Sequence, residues 1–303
     1  MRQTFLFALV IAMSCNVGDA QSKNKLEGAW RVIEITGGPN AKTMTHPQPG
    51  LWLFTRNHYS RMEILSEQPR PDAPDEPAKA TGEVLNAAWA AFTGNTGTYE
   101  ISGDMFTIQP IVAKNPQTMR PGNSATFAVR LDGDTLTLTM TKDVNGPVQI
   151  LDAVKLIRVA SGEPETKLQG AWRLTEVRRT GPNPVTKLNP QPGLMLFAGN
   201  YYGRMDVTSD QPRPDTPADR AKASGAELFA AWGPFTANSG TYELSGGTLT
   251  THPVVAKSAQ FMRPGNFNTY SYKLEGNTLW MTSVGTQNGA VKNSETVKMV
   301  RVE

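Results

Sequence analysis

The chain repeats itself, and the repeat is as long as a domain. Leu26-Glu27-Gly28-Ala29-Trp30-Arg31 returns as Leu168-Gln169-Gly170-Ala171-Trp172-Arg173, and Pro47-Gln48-Pro49-Gly50-Leu51 returns as Pro190-Gln191-Pro192-Gly193-Leu194. From Tyr59 and Tyr202 onward the offset is constant at 143 residues. Tyr59 to Asp72 shares nine of 14 positions with Tyr202 to Asp215, where chance gives roughly one. Trp89 matches Trp232, Gly97-Thr98-Tyr99-Glu100 matches Gly240-Thr241-Tyr242-Glu243, and Met119-Arg120-Pro121-Gly122-Asn123 matches Met262-Arg263-Pro264-Gly265-Asn266. The register holds to Arg158-Val159 and Arg301-Val302. A solenoid unit runs to about 20–50 residues, so each copy here is a whole domain. The 303 residues divide into a leader at 1–20, one domain at 21–160, a linker at 161–165 and a second domain at 166–303. So short a linker predicts that the two domains touch.

The leader reads as a secretory signal: Arg2 supplies the positive start, Thr4 to Ser14 is apolar, and Gly18-Asp19-Ala20 places small residues where a signal peptidase reads. Cleavage after Ala20 and a secreted or periplasmic location are expected. A lipoprotein anchored at Cys15 is the alternative, but Ala12-Met13-Ser14 lacks the leucine-like residue expected three positions upstream. The apolar run falls short of the roughly 20 residues that span a bilayer, so no transmembrane segment is expected once the signal is removed. Cys15 is the only cysteine, so the mature chain has no disulfide, thiol nucleophile or thiolate metal site. With 39% hydrophobic residues there is material for packed cores, and a net charge of +3 spread over alternating signs argues against a nucleic-acid partner.

Each copy reads as a series of short β runs. Trp30 to Ile35, Gly50 to Thr55 and Tyr59 to Leu65 are rich in β-branched and aromatic residues, with Arg56-Asn57, or Gly199-Asn200 in the second copy, at a tight turn. Gly97 to Ser102, Met105 to Ala113, Ala125 to Leu131, Thr135 to Thr141 and Gln149 to Val159 follow. Strict alternation in Thr135-Leu136-Thr137-Leu138-Thr139-Met140 predicts one apolar face. About eight antiparallel strands at this spacing predict a sandwich or a closed barrel, closure being what removes the edges. Pro77 to Phe92 has helical spacing with Pro near its start, as does the segment from Ala218, which Gly233-Pro234 interrupts. Gln68-Pro69-Arg70-Pro71-Asp72 and its repeat at 211–215 are expected to cross a barrel end as extended loops.

Gly28-Ala29-Trp30 resembles the Gly-x-Trp signature of the lipocalins, and Gly170-Ala171-Trp172 repeats it. Each copy is similar in order to the bacterial lipocalin-like domain family: a Gly-x-Trp strand, a hairpin at Asn57 to Tyr59, a helix, Gly97 to Glu100, and a Leu-x-Gly-x-x-Leu hairpin at Leu131 to Leu136. The resemblance covers nearly all of the mature chain. It implies an all-β protein with two antiparallel up-and-down calycin-type barrels in tandem, each carrying one amphipathic helix. It also implies that Arg158 and Arg301 stack over Trp30 and Trp172 as a structural barrel floor. Family members often carry a histidine pair where this chain has Ile108-Gln109 and Thr251-His252, so no histidine-based activity is implied.

The residue chemistry narrows the options. His46, His58 and His252 face Asn189, Tyr201 and Gln109 in the other copy, so no metal site is expected. No Gly-x-Ser-x-Gly elbow and no phosphate loop is present, and no cofactor is expected. By strand parity Glu34 shares a face with Trp30 and Val32, and Glu176 with Trp172 and Leu174. If the tryptophans point inward, these glutamates are acid/base candidates; a twist in the strand, or a place at the wet rim, is the other reading. Parity also turns the apolar set Ser60, Met62 and Ile64 inward and leaves Arg61 and Arg204 solvated. Arg120 and Arg263 could grip a ligand carboxylate at a barrel mouth, or sit in turns that duplication preserved. Trp89, Phe92, Trp232 and Phe235 could form a ligand lid or the seat of the helix on the barrel. Met62, Met119, Met205 and Met262 suit an adaptable pocket or an ordinary core.

Three functions follow from this reading. The first is a protein that binds a small apolar or amphipathic molecule in its barrel cavities. The second is a cofactor-free isomerase, cyclase or dehydratase that uses a barrel carboxylate with a nearby tyrosine. The third is an interaction module with filled barrels and partner-binding proline loops. Ligand identity, oligomeric state and whether both barrels work stay open.

Overall fold

The computed structural model describes residues 24–37, 42–148, 152–160 and 166–303; the expected signal segment and the linker lie outside them. The first copy forms β1 (Gly28–Gly37), β2 (Lys42–Met44), β3 (Gln48–Phe54), β4 (His58–Ile64), α1 (Gly82–Trp89), β5 (Phe92–Ser102), β6 (Met105–Ala113), β7 (Ala125–Asp132), β8 (Thr135–Asp143), β9 (Gly146–Pro147) and β10 (Ala153–Arg158). The second repeats them as β11 (Gly170–Arg179), β12 (Val185–Leu188), β13 (Gly193–Ala198), β14 (Tyr201–Val207), α2 (Gly225–Trp232), β15 (Phe235–Ser245), β16 (Thr248–Ala256), β17 (Asn268–Glu275), β18 (Thr278–Thr286), β19 (Gly289–Ala290) and β20 (Glu295–Arg301).

Each copy closes into an eight-stranded antiparallel barrel. The first runs β1-β3-β4-β5-β6-β7-β8-β10 and shuts where β10 pairs with both β8 and β1. The second shuts in the same way through β20 with β18 and β11. Closure leaves no long unpaired edge. Gly133 and Gly276, at φ 56° and 55°, take the left-handed backbone that the β7–β8 and β17–β18 turns need. At one end of each barrel a guanidinium covers a tryptophan: Arg158 lies 4.1 Å over Trp30 and Arg301 4.1 Å over Trp172. Both indoles donate to a backbone carbonyl at 2.7 Å, Trp30 to Leu26 and Trp172 to Leu168. We call this end the floor and the opposite end the mouth.

The helical segments are shorter than the spacing predicts. Pro77–Lys79 is a single 3-10 turn, α1 begins only at Gly82, and Phe92 already belongs to β5. Thr81 caps α1 by accepting from the Val84 amide, and Ser224 with Glu227 forms a full capping box on α2. The helices start on glycine because they cross closely: a Cβ at Gly82 would run into the Ala223 carbonyl, and one at Gly225 into that of Ala80.

The outer walls of the two barrels form one continuous apolar core. Leu51, Leu53, Met62, Ile64 and Phe92 meet Leu194, Leu196, Met205, Val207 and Phe235 there. A second cluster joins Leu85, Ala88 and Trp89 of α1 to Leu228, Ala231 and Trp232 of α2. The proline segments do not cross their own barrel ends; each reaches over to the other barrel. Arg70 donates to the carbonyls of Lys257 at 2.8 Å and Ala256 at 2.9 Å, and Arg213 donates to those of Lys114 at 2.9 Å and Ala113 at 2.6 Å. Burial lowers both guanidinium pKa values to about 10. Each of these arm contacts has its reciprocal, so the interface is a pseudo-twofold of the isologous kind. No helix among the described residues is long and apolar enough to cross a membrane.

Candidate functional site at the mouth of the second barrel

One irregularity decides which side chains enter the barrels. A bulge between Val32 and Glu34, repeated between Leu174 and Glu176, inserts one residue into β1 and β11. Side chains on a strand alternate with period two, so a single insertion moves everything beyond it to the other face. Trp30, Val32 and Ile35 therefore line the first interior, and Trp172, Leu174 and Val177 the second. Glu34 and Glu176 are turned to the outer wall, opposite Lys155 and Lys298. Glu176 also pairs with Arg178. Glu34 borders a shallow 360 Å³ outer groove with Arg130, Asp132 and Lys155. Neither carboxylate faces a barrel interior.

The same check inverts β4 and β14. Their apolar set, Met62 and Ile64 with Met205 and Val207, is spent on the contact between barrels. Tyr59, Arg61 and Glu63, and likewise Tyr202, Arg204 and Asp206, point into the barrels. Arg61 is not solvated: it pairs with Glu63 and lies 4.9 Å over Trp52. Arg204 is likewise enclosed and starts an ionic chain. Its Nε donates to Asp206 at 2.8 Å and its Nη2 to Glu295 at 3.4 Å. Glu295 also accepts from Arg179 at 2.7 Å, and Asp206 from the Thr236 hydroxyl at 2.7 Å. The Asp206 carboxylate, outweighing burial, holds the Arg204 pKa above its ordinary value. Two acids and two bases make this chain neutral overall. It can offer hydrogen bonds to a ligand without demanding a particular charge.

The two interiors have diverged around this shared frame. In the first, Phe106 stacks with Phe54, Tyr59, Tyr99 and Phe127 at centroid distances of 5.4–6.5 Å, and Trp52 meets Phe127 edge-on at 6.2 Å. The second has Met195 for Trp52, Leu249 for Phe106, Thr251 for Ile108 and Tyr270 for Phe127. Two hollows result. One, of 250 Å³, lies at the mouth among Leu174, Val177, Arg179, Arg204, Asp206 and Glu295. The other, of 540 Å³, runs from Arg204, Asn238 and Tyr270 out between the barrels to Trp89, Phe229 and Phe261. Arg204 and Thr236 border both. Below them the barrel is packed, with only about 10 Å³ left beside Met195, Met281 and Met299.

Of the ten binding candidates read from the sequence, Trp89 and Phe235 reach the larger hollow. Met62, Met205 and Phe92 lie in the core between barrels. Met119 and Met262 pack against that core under Arg213 and Arg70, and Trp232 lies in the helix cluster. Arg120 and Arg263 do not stand at a mouth; they pair with Asp215 and Asp72 of the opposite copy. The residues that parity concealed are Arg179, Arg204, Asp206, Thr236, Tyr270 and Glu295. Unequal residues at matched positions of the repeat, such as Phe127 and Tyr270, were the available signal for the hollow.

Two buried amines look reactive and are structural. Lys257 Nζ donates to the carbonyls of Trp232 at 2.5 Å, Phe235 at 2.8 Å and Gly233 at 3.2 Å, and lies 3.9 Å from the Trp89 ring. Lys114 does the same for Trp89, Ala90 and Phe92 and lies 4.1 Å from Trp232. Burial lowers the Lys257 pKa to about 7 and puts Lys114 well below its ordinary value. Each amine is held by three backbone carbonyls around the end of a helix, the position of a helix cap.

No family model matches the chain. No curated protein matches it either. Among solved structures it is similar to a protein of unknown function from the DUF3598 family of Nostoc punctiforme PCC 73102. That match has 10% identity, covers 91% of this chain and 96% of the other, and has a TM-score of 0.18.

Proposed function

We propose that the protein is an exported small-molecule binder in which the second barrel holds the ligand and the first is its structural partner. The carrying observation is the pair of hollows that meet at Arg204 and Thr236 in the second copy, with Tyr270 on the wall of the larger, where bulky rings including Phe127 fill the first interior. A charge-balanced hydrogen-bonding chain on one side and aromatic walls on the other suit an amphipathic, uncharged molecule. Apolar burial at about 25 cal/mol per Å² would supply the affinity and the chain would set orientation.

Native mass spectrometry of the mature protein from its exported compartment, followed by solvent extraction, tests this. The expected result is one added mass per chain that vanishes on denaturation. Filling the site from Thr236, which borders both hollows, by Thr236→Trp should preserve the circular dichroism spectrum and remove that mass. Apo protein that gives no tryptophan fluorescence change with fatty acids, sterols and aromatics would overturn the reading. Undiminished binding by the filled variant would move the ligand out of the second barrel.

A further inference from the structure

The pseudo-twofold fails at one corner. Trp232 is fully satisfied there: its Nε1 donates to Asn115 Oδ1 at 3.2 Å and to Thr216 Oγ1 at 3.1 Å. The matched positions around Trp89 are Ser258 and Ala73. One has lost an amide and the other a hydroxyl. Trp89 is 2% exposed and its Nε1 has no hydrogen-bond partner among the described residues. Equivalence with Trp232 aims that N–H at the corner between Ala73 and Ser258, and both of these line the 540 Å³ hollow. Two further changes concentrate in the same place: Phe229 stands for Asn86, and Phe261 for Thr118. Phe261 is 48% exposed at the rim.

A buried N–H without a partner is costly, and substitutions that strip its acceptors while adding aromatic rings are difficult to explain as packing. We propose that the hollow is a two-domain site for an uncharged, aromatic-bodied molecule carrying a carbonyl or ether oxygen, and that Trp89 of the first copy donates its indole N–H to that oxygen. This rests on the reading of the second barrel as the ligand holder and adds the ligand class and the first copy's part in binding. The rings of Phe229, Phe235 and Phe261 would flank the body of the molecule, while Asn238, Tyr270 and Arg204 meet its inner end.

The probes are benzophenone and diphenylmethane, which share a shape and differ in the carbonyl. The full mature chain, ¹⁵N-labelled, gives indole N–H resonances that Trp89→Phe assigns. Benzophenone should move the Trp89 resonance downfield and leave that of Trp52 in place, and should bind roughly three- to tenfold more tightly than diphenylmethane. Ala73→Thr with Ser258→Asn, which rebuilds the satisfied corner, should abolish that preference. Equal affinity for the two probes, or a Trp89 resonance unmoved by bound benzophenone, overturns the proposal and leaves the barrel reading standing. A shift at Trp89 that saturates equally in the rebuilt variant overturns it as well. Binding of neither probe overturns the ligand class; if the protein also carries no extractable mass, the barrel reading fails with it.

Discussion

Arg70→Met should separate the docking of the barrels from their folding. Arg70 belongs to the first copy. Its guanidinium donates to the Ala88 carbonyl at the end of α1, at 3.0 Å, and to the Ala256 and Lys257 carbonyls of the second copy, at 2.9 and 2.8 Å. Methionine replaces the aliphatic stem, so the loss falls on the guanidinium, chiefly its donors and, to a lesser extent, its place 5.8 Å over the Phe92 ring. Three donations at about 1 kcal/mol each, the net value of a hydrogen bond in competition with water, give a cost of about 3 kcal/mol. For a chain of this size that corresponds to a fall in Tm of roughly 6–12 °C. Differential scanning calorimetry reads the effect, and the shape of the trace carries as much as its position. Two of the three lost bonds lie between the copies, so the variant should broaden or split a transition that is single in the wild type. Arg213→Met should behave alike. The double variant should cost less than the sum, because both arginines act on one interface. An unsplit transition within about 2 °C of wild type for either single variant would refute the reasoning.

Two further outcomes are expected. Gly82→Ala pushes a methyl group into the Ala223 carbonyl; despite alanine's better helix propensity, thermal unfolding should show a loss of about 1–2 kcal/mol, and a variant as stable as wild type would contradict the helix crossing. The Glu303 side chain reaches from the second copy to the first. Burial raises its pKa, but hydrogen bonds from His58, Thr55 and the Asn57 amide outweigh this and hold it below the ordinary value of 4.5. Its stabilisation is therefore complete above that value and fades as pH falls through the lower folded one. Wild type should exceed Glu303→Gln by about 1 kcal/mol in urea at pH 7, with the gap closing below pH 4; a gap that widens in acid would reverse the sign.

The architecture was largely legible in the sequence. Alternation in Thr135 to Met140 and turn glycines at regular spacing specify barrel strands through local physics, and the repeat doubles every signal. The site was less so, for two reasons. Parity from Trp30 to Glu34 fails because a bulge leaves no mark in composition, and it misplaced both glutamates. On β4 the apolar face was assigned to a barrel interior, which presumes that the interior is the only dry place. Here Met62 and Ile64 are dry because a second barrel covers them, while Arg61 and Glu63 satisfy each other inside. A sequence shows which face is apolar without showing what lies opposite it.

The reciprocal arms have a consequence for how such a molecule can acquire specificity. Two identical subunits related by a twofold must accept every substitution twice, once on each side of the axis, so a corner cannot lose its acceptors without its mate losing them too. Joining the halves in one polypeptide removes that obligation. Thr216 and Asn115 keep one indole satisfied and the assembly rigid, while Ala73 and Ser258 leave the other exposed to selection for something new. One half can hold the shape while the other experiments.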